Sequence, residues 1–437
     1  WDSIPILKEA NIVEQENRKL KYKYIPNIFL LFLQYFLTKN LLKKMLDLEY
    51  TLRIIIYNKE RILYKMRMWI ILFAILIFST IAGFVYLTSR VAKFTFILKI
   101  AGNNTKLLYL ISLMAVLAVF GVLCLSLNLM NAVIVLLHLM ILWLLSDLIF
   151  GIIEHYQPQP FQYYYAGAAA LFLTISTLGT GWFLDHHVWT TYYTLETDKT
   201  EKPLRIVQFA DSHIGTTFDG DGFAKYMEYI QTLNPDAVVI VGDFVDDDTM
   251  LPNMQKACAA LGKLKTTYGV YFAFGNHDKG YHSPEKRGYT GTDLINELQK
   301  NNVTVLQDEA VLLDNDYYIL GRKDLSEFYR GGKRENMDAL VKNLDKSKYI
   351  VVLDHQPNDY KSQAAEEVDL VLSGHTHGGQ LWPLNKAGEW IGANDKTYGY
   401  ERRNLTDFIV TSGISDWAVK FKTGTKSEIV VIDIKNK

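Results

Sequence analysis

Residues 204–213 read LRIVQFADSH, an apolar run that changes at its end to Asp211 and His213. The run has the composition of a buried β-strand, and the two residues after it are of types that bind metal ions. Amphipathic helical stretches separate it from further runs of the same kind, which predicts an α/β layered domain. The change from buried strand to polar residues recurs at 237–243, 270–278, 349–355 and 369–377.

Each of these five strands is followed at once by polar residues of metal-ligand type. Because ligands bind at the carboxyl ends of strands in open α/β sheets, we expect the five turns to converge on one edge. Glycines at positions 242, 275 and 374 let the chain turn sharply off a strand and approach a ligand closely. The residues expected at this edge are Asp211, His213, Asp243, Asn276, His277, His355, His375 and His377.

The types of these side chains indicate a centre with two metal ions. Imidazole and carboxylate suit Zn, Fe and Mn, and thiolate is absent from the set. Two-metal hydrolases hold their ions about 3.5–4 Å apart, so they need a bridging ligand. Asp243 stands alone on its turn and is the natural bridge. Two aspartates would leave two positive charges on a pair of divalent ions, which suits a hydroxide and a phosphate ester.

The order of the motifs, D-x-H, G-D, G-N-H-D, a single H and G-H-x-H, resembles the calcineurin-like metallophosphoesterases over about residues 203–437. The continuation G-H-T-H-G-G-Q with Trp382 and Pro383 is most similar to the bacterial membrane-associated branch. The resemblance implies an α/β/β/α sandwich with two divalent ions, Mn, Fe or Zn. It implies that one ion is held by Asp211, His213, Asp243 and His377, and the other by Asp243, Asn276, His355 and His375.

The resemblance also implies the roles of other residues in the hydrolysis of a phosphate ester or pyrophosphate. A hydroxide held on the ions attacks phosphorus, and His277 stabilises charge or protonates the leaving oxygen. We expect Asp278 to orient the ring of His277. Arg287 and Arg322 are candidates to contact the phosphate. The acidic run 246–248 is expected to be a solvated loop, with contact to substrate as the alternative.

Four long apolar stretches precede the α/β domain, and each approaches the roughly 20 residues that a helix needs to span a bilayer. Asp147 is the only charge within them, and it is either a functional carboxylate or a helix-packing one. We therefore predict four transmembrane helices within 66–184, a polar linker at 185–202 and a phosphoesterase domain at 203–437. The apolar stretches are residues 69–87, 107–127, 132–153 and 166–184.

Residues 1–65 differ in composition from the rest of the chain. They contain no glycine, are rich in Lys, Asn, Ile, Leu, Tyr and Phe, and begin with Trp1. We interpret them as a non-native segment translated upstream of a start at Met66 or Met68. The alternative is a basic, partly helical cytoplasmic extension.

The formal net charge of -1 gives no overall basic field, so we expect no nucleic-acid binding. Anchoring by four helices favours the lipid bilayer as a partner and a substrate such as a phospholipid or a lipid-linked sugar nucleotide. The alternatives are a tethered protein phosphatase or soluble-nucleotide phosphodiesterase, or a non-catalytic regulator of a membrane sensor or transporter. A missing ligand would favour the regulator, and no ligand position is missing.

The distribution of basic residues predicts the orientation in the cell membrane. The loop between the first two spans carries Arg90, Lys93, Lys99 and Lys106, and the other two loops carry no Lys or Arg. The positive-inside rule then places that loop in the cytoplasm and the catalytic domain outside. If residues 1–65 are native, their basic residues reverse this prediction.

Overall fold

The computed structural model describes residues 70–437, so the prediction for residues 1–65 lies outside the described residues. Four helices in it are long and apolar enough to span a membrane, as many as the sequence predicts. Few residues of these helices are buried, as expected for surfaces that face lipid. The helices are α1 (Ile70–Val91), the short α2 (Thr95–Ala101), and then the spanning helices α3 (Thr105–Leu127), α4 (Leu129–His155) and α5 (Tyr165–His186).

Asp147 of α4 lies at the centre of a hydrogen-bonded cluster between helices. Its carboxylate accepts hydrogen bonds from the hydroxyl groups of Tyr86 at 2.7 Å and Tyr164 at 2.6 Å. The Nε atom of Arg90 lies 2.8 Å from the same carboxylate. These three partners come from α1 and from the segment before α5, so the contacts of Asp147 favour the helix-packing interpretation.

Twelve strands follow α5 and form two six-stranded sheets. Their orders are β1-β12-β2-β3-β4-β5 and β10-β11-β9-β8-β7-β6. β2 to β5 are parallel in the first sheet, and β7, β8, β9 and β11 are parallel in the second. The strands are β1 (Val188–Thr197), β2 (Leu204–Phe209), β3 (Ala237–Val241), β4 (Gly269–Ala273), β5 (Val303–Leu306), β6 (Glu309–Leu313), β7 (Tyr317–Gly321), β8 (Tyr349–Leu353), β9 (Leu370–Ser373), β10 (Gly399–Arg403), β11 (Thr406–Val410) and β12 (Ser427–Asn436).

The two sheets pack face to face and each carries helices on its outer side. Along β3, Val239 and Val241 contribute to the core between the sheets, whereas Ile240 packs under the helices. This alternation buries both faces of the strand and explains its continuous apolar sequence. The confirmed fold is therefore an α/β/β/α sandwich. Its helices are α6 (Gly220–Thr232), α7 (Leu251–Leu261), α8 (Gly291–Lys300), α9 (Ser326–Tyr329), α10 (Met337–Val341), α11 (Tyr360–Ala365) and α12 (Ala387–Trp390).

The predicted linker at 185–202 is wrong, because most of it is strand β1. β1 pairs in parallel with β12 over ten residues, from Val188 with Ser427 to Thr197 with Asn436. Its sequence VWTTYYTLET is rich in β-branched and aromatic residues, which favour an extended chain despite their polarity. Only His187 separates α5 from β1, so the last membrane helix runs directly into the sandwich.

Candidate metal centre

The carboxyl ends of β2, β3, β8 and β9 meet at one edge of the sandwich, as the strand pattern predicts. They bring six of the seven predicted ligands into two adjacent groups of three. Within each group, one nitrogen or oxygen atom from every member lies within 4.8 Å of the others. The first group is Asp211, His213 and His377, and the second is Asp243, His355 and His375.

Asp243 connects the two groups. Its Oδ2 atom lies 3.0 Å from His355 Nε2 and 3.8 Å from His213 Nε2. Ligand atoms bound to one ion at about 2.0–2.2 Å are separated by roughly 3–4 Å, so these distances fit donors that share ions. Among the residues that the structure describes, Asp243 is the carboxylate with an oxygen near an imidazole of each group.

The backbone at these turns is strained. Five of the predicted ligands have φ angles in the left-handed region, which residues other than glycine rarely adopt. Such a conformation costs on the order of 1–3 kcal/mol per residue and persists where the surrounding structure fixes it, often at functional sites. The five are Asp211 (φ 54°), His213 (38°), Asp243 (50°), His375 (71°) and His377 (47°).

All three predicted glycines are required by close approach, and a Cβ on Gly374 would lie 2.5 Å from Asp211 Oδ2. A Cβ on Gly275 would lie 2.2 Å from Asp243 Oδ1, and a Cβ on Gly242 would lie 2.5 Å from His355 Nδ1. Gly242 also has a φ of 78°. The three turns that carry Asp243, Asn276 and His355 therefore pack against one another without space for a side chain.

Three of the imidazoles are oriented by a hydrogen bond at Nδ1. His355 Nδ1 lies 2.7 Å from the carbonyl oxygen of Val241, and His377 Nδ1 lies 3.3 Å from that of Ser415. His213 Nδ1 lies 3.2 Å from Asp246 Oδ2. Partners of this kind fix the ring and leave Nε2 for a metal ion.

The unpaired polar atoms at the centre test whether these residues fit metal ions. The Nε2 atoms of His213 and His355 and the Oδ1 atom of Asn276 are buried and lack a hydrogen-bond partner within residues 70–437. An unpaired buried polar group costs about 1–3 kcal/mol, and an ion would remove that cost. Burial lowers the pKa of His375 to about 3 and holds the pKa of His377 well below its ordinary value. Against the effect of burial, neighbouring carboxylates raise the pKa of His213 and His355, and an ion would displace these protons, because neutral imidazole is the form that binds metal. The unpaired donor atoms therefore fit a pair of divalent ions.

His277 lies beside both groups without belonging to either. Its backbone N–H donates to Asp243 Oδ1 at 2.8 Å, and its ring lies 5.1 Å from that of His213 between centroids. Burial lowers the pKa of His277 from its ordinary value, and the nearby carboxylate of Asp243 opposes this shift. The side chain can therefore reach a group bound at the ions while its backbone fixes the carboxylate between them.

The predicted role of Asp278 in orienting the His277 ring is wrong. Its two carboxylate oxygens accept hydrogen bonds from the backbone N–H groups of four residues in two adjacent turns. These distances are between 2.6 and 3.1 Å and occupy the carboxylate. Asp278 therefore fixes the backbone around the two turns. The donors are Asp243, Phe244, Val245 and Gly275.

Arg287 and Arg322 are not placed to contact a phosphate at the ions. Both are nearly fully buried. Arg287 donates to the carbonyl oxygens of Tyr289, Asp246 and Asp278, so it supports the turns from behind. Arg322 Nη1 lies 3.1 Å from Asp354 Oδ2, which commits it to an internal ion pair.

Asp246 belongs to the site, so the prediction that the acidic run 246–248 is a solvated loop is wrong for this residue. Its side chain is 5% exposed and contacts His213, whereas Asp248 in the same run is 75% exposed and pairs with Lys286. Asp246 Oδ1 also accepts from the backbone N–H groups of Asp248 and Thr249, which folds the turn inward. In the sequence, Asp246 lies only three residues after the bridging Asp243, and this short spacing could have indicated that it belongs to the site.

Trp417 and Tyr281 form an aromatic wall around His277 that was not predicted. The ring of His277 lies 5.2 Å from that of Trp417 and 5.1 Å from that of Tyr281. These three side chains and the acidic run at 246–248 line a pocket of about 470 Å³. Trp417 lies seven residues past the end of β11 at Val410, so no strand-end motif marked it in the sequence.

The chain matches the family model described as calcineurin-like phosphoesterase over residues 204–379. An uncharacterized metallophosphoesterase of Aquifex aeolicus is 30% identical over 257 residues, which cover 56% of this chain and 91% of that protein. An uncharacterized metallophosphoesterase of Helicobacter pylori strain J99 is 29% identical over 244 residues, covering 54% of this chain and 60% of that protein.

A third relative combines the matched domain with a membrane region in its name. The Bos taurus transmembrane protein with metallophosphoesterase domain is 29% identical over 235 residues, or 52% of each chain. The matched segments cover about half to three fifths of the length of several curated relatives.

Proposed function

Because the chain belongs to the calcineurin-like phosphoesterase family, we propose that it is a membrane-anchored, metal-dependent hydrolase of a phosphate ester or pyrophosphate. The observation that carries this proposal is the position of Asp243 Oδ2, within 3.8 Å of an imidazole from each donor group. A carboxylate shared by two complete donor groups is the arrangement that a two-metal hydrolase needs.

The proposed ligands of each ion follow the two donor groups. Asp211, His213 and His377 hold one ion, and His355 and His375 with Asn276 hold the other. Asp243 serves both. When bound, the two ions supply a nucleophile at neutral pH and neutralise the charge that develops on the phosphate. The chain fixes its ligands in advance through strained turns and oriented imidazoles, so little rearrangement accompanies the reaction.

His277 acts on the leaving group in this proposal. It lies next to the bridging carboxylate but outside both donor groups, which supports a role at the phosphate rather than as a metal ligand. Donation of a hydrogen bond or a proton to the leaving oxygen there lowers the barrier to its departure. Trp417 and Tyr281 then contact the part of the substrate attached to that oxygen.

A lipid or lipid-linked phosphate ester is the substrate class that the surroundings of the site favour. Trp382 and Leu384 follow the metal-ligand turn and are 56% and 64% exposed. The backbone N–H of Trp382 donates to Thr423 Oγ1, and Thr423 packs against Gly181 of the membrane helix α5. Exposed apolar side chains next to this helix support contact with the lipid interface, where tryptophan is enriched.

The second candidate is hydrolysis of a soluble nucleotide ester by a tethered enzyme. Trp417 is 48% exposed and Tyr281 56%, so both present ring surface on which a base can stack. The two candidates differ in the location of the substrate, since a nucleotide reaches the pocket from water.

Metal analysis combined with a substrate panel tests the proposal. The purified full-length protein in detergent should contain close to two transition-metal ions per chain after reconstitution. It should hydrolyse vesicle-borne phosphate esters faster than nucleotide esters at matched phosphate concentration. A reproducible metal content near zero would exclude the metal-dependent mechanism, and a preference for nucleotides would select the second candidate.

A paired substitution tests lipid access separately from the chemistry. We expect the double variant Trp382→Ser with Leu384→Ser to raise KM for a vesicle-borne ester about tenfold, because it removes interfacial anchoring. It should leave kcat/KM for a soluble nitrophenyl ester unchanged. Leu405→Ser is the matched control, since Leu405 is 63% exposed but precedes β11 at the opposite end from the site. Equal effects on both esters would contradict a lipid-facing role.

The proposed orientation places the catalytic domain outside the cytoplasmic membrane. Its support is the basic loop between α1 and α3, which lies at the other end of the spans from β1. Trypsin added to intact cells should cut at Lys333, which is exposed in the segment between α9 and α10. Cleavage that occurs only after lysis would reverse the orientation.

A further inference from the structure

The loop between β11 and β12, residues 411–426, contacts the membrane helices at one end and the metal centre at the other. Asn131, in the first turn of α4, is fully buried. Its Nδ2 donates to the carbonyl oxygen of Ala418 at 3.0 Å, and its Oδ1 accepts from the backbone N–H of Lys420 at 2.9 Å. One amide thus pairs with the loop at two points, which fixes its position better than a single bond.

A second contact to the loop is made by α5. The backbone N–H of Lys422 donates to the carbonyl oxygen of Gly181 at 3.0 Å. A Cβ on Gly181 would lie 2.7 Å from Thr423 Cγ2, whereas a Cβ on Gly179 would meet nothing within 4 Å. The loop therefore packs directly against the backbone of α5 at Gly181.

A hydrogen-bond chain continues from the end of α5 into the loop. The hydroxyl of Ser427 donates to the carbonyl oxygen of Asp185 at 2.6 Å and accepts from Lys422 Nζ at 2.8 Å. Lys422 is fully buried and also donates to the carbonyl oxygens of Ser412 and Ser415, at 3.0 and 2.9 Å. All three of its N–H donors are used, so its position is fully determined.

The other end of the loop reaches the site at two residues. The carbonyl oxygen of Ser415 that accepts from Lys422 also accepts from Nδ1 of the proposed ligand His377, at 3.3 Å. Trp417, next to Ala418, contacts His277 across the pocket. A displacement of the loop would therefore change the orientation of His377 and the width of the pocket together.

We propose that the membrane region is part of the active-site scaffold. Asn131 and Gly181 are positioning residues that fix the loop, and through it His377 and Trp417. This inference rests on the proposed function for its kinetic consequences, but its effect on metal affinity and on the loop does not require turnover.

Substitutions in the full-length protein in detergent test the proposal. Gly181→Leu forces the loop off α5, and Gly179→Leu on the same helix is its matched control. Asn131→Leu removes both hydrogen bonds, and Asn131→Asp retains the acceptor while losing the donor. Ser112→Ala is the control for a buried polar group, since Ser112 Oγ donates only to the carbonyl oxygen of Leu108 in its own helix.

Three readouts separate positioning from general destabilisation. We expect Gly181→Leu and Asn131→Leu to weaken one of the two metal sites by roughly 10–100-fold, the usual effect of losing support for a ligand. They should lower kcat for a soluble nitrophenyl ester by a similar factor with little change in KM. Hydrogen exchange of peptide 415–424 in the metal-free protein should become faster. In all three measurements Asn131→Asp should lie between Asn131→Leu and the unsubstituted protein. The controls Gly179→Leu and Ser112→Ala should match the unsubstituted protein.

If Gly181→Leu fails to fold, the graded pair of Asn131 variants decides the outcome. Unchanged metal affinity and unchanged exchange in Asn131→Leu would make the membrane region a passive anchor and overturn the proposal. A protein that binds two metals but hydrolyses nothing in the panel would contradict the proposed function alone. In that case the metal-affinity and exchange measurements still accept or reject the role of Asn131.

Discussion

The two donor groups of the metal centre differ in what supports them. In the group of Asp243, His355 and His375, the ring of His355 is held by the carbonyl oxygen of Val241, which lies inside the sandwich. In the group of Asp211, His213 and His377, the ring of His377 is held by Ser415, on a loop that contacts the membrane helices. The corresponding distances are 2.7 and 3.3 Å, so the shorter contact belongs to the group supported by the core.

This difference teaches that two chemically similar groups can depend on different parts of one chain. The geometry of the core-supported group depends only on the sandwich, because the carbonyl group of a strand residue cannot move unless the sheet moves. The loop-supported group needs the membrane helices as well. The contribution of each group to metal binding and hydrolysis can then be measured with substitutions. Some affect both groups, some affect neither, and some affect only one.

Asp243→Asn should have the largest effect, because it removes the charge shared by both groups. We expect both metal ions to be lost and hydrolysis to fall to background, since the ions supply nucleophile and charge stabilisation. Elemental analysis after dialysis against metal-free buffer measures the loss. Retention of one full equivalent would show that Asp243 belongs to a single group, and the two groups would not share a ligand.

His277→Ala affects neither group and should leave both metals bound. We expect kcat to fall by roughly 10²–10⁴-fold for an alkyl ester, the usual contribution of a general acid. The loss should shrink for a nitrophenyl ester, because its leaving oxygen needs little protonation. If this substitution strips a metal, His277 is a ligand and the division of roles is wrong. Full activity on the alkyl ester with metals retained would leave His277 without a catalytic role.

Asp246→Asn affects only the group of His213. The amide preserves the turn but removes the negative charge beside His213 Nδ1, so we expect about a tenfold weaker affinity at one of the two metal sites. Titration of the metal-free protein with Mn²⁺ measures both affinities. Asp248→Asn is the control for metal affinity, since its side chain is 75% exposed and pairs with Lys286 rather than with a proposed ligand. Equal weakening of both sites would mean that the two groups are not independent.

Tyr281→Phe should have the smallest effect and concerns only the group that includes Asn276. The hydroxyl of Tyr281 accepts a hydrogen bond from Asn276 Nδ2 at 2.9 Å, which orients the amide oxygen. Losing one such bond is worth about 0.5–1.5 kcal/mol, or roughly 2–10-fold in metal affinity. Mn²⁺ titration checks this, with Tyr229→Phe, whose hydroxyl contacts Thr190, as the control. A loss above 100-fold would assign Tyr281 a larger role.

The strand pattern was sufficient to predict a layered α/β domain with polar turns at one edge, whereas the sandwich and the division of the ligands followed from the family resemblance. Apolar runs such as Ala237–Val241 are buried on both faces and coincide with β3. The turns after them must leave the sheet at the same edge, so their polar residues meet. This rule brings His213 and His377, which are separated by more than 160 residues, to the same edge, and the resemblance assigns them to one ion.

The features that the sequence analysis missed depend on contacts between distant segments, or on a strand that lacks the apolar run of a buried strand. β1 carries many polar residues on an edge strand and became visible only through its pairing with β12. Asp278 could have faced His277 or the backbone, and only the three-dimensional arrangement of four N–H groups decides between them. Asn131 lies in an apolar helix and pairs with a loop 287 residues away, a distance that no local signal spans.

The direct junction of α5 with β1 has a consequence for how substrates are encountered. With one residue, His187, between the membrane helix and the sheet, the catalytic domain has no tether on which to rise or tilt. For the proposed lipid substrate, which diffuses in two dimensions in the bilayer plane, this short junction keeps the centre close to that plane. Inserting a flexible Gly-Ser segment at His187 would exchange this two-dimensional search for a three-dimensional one.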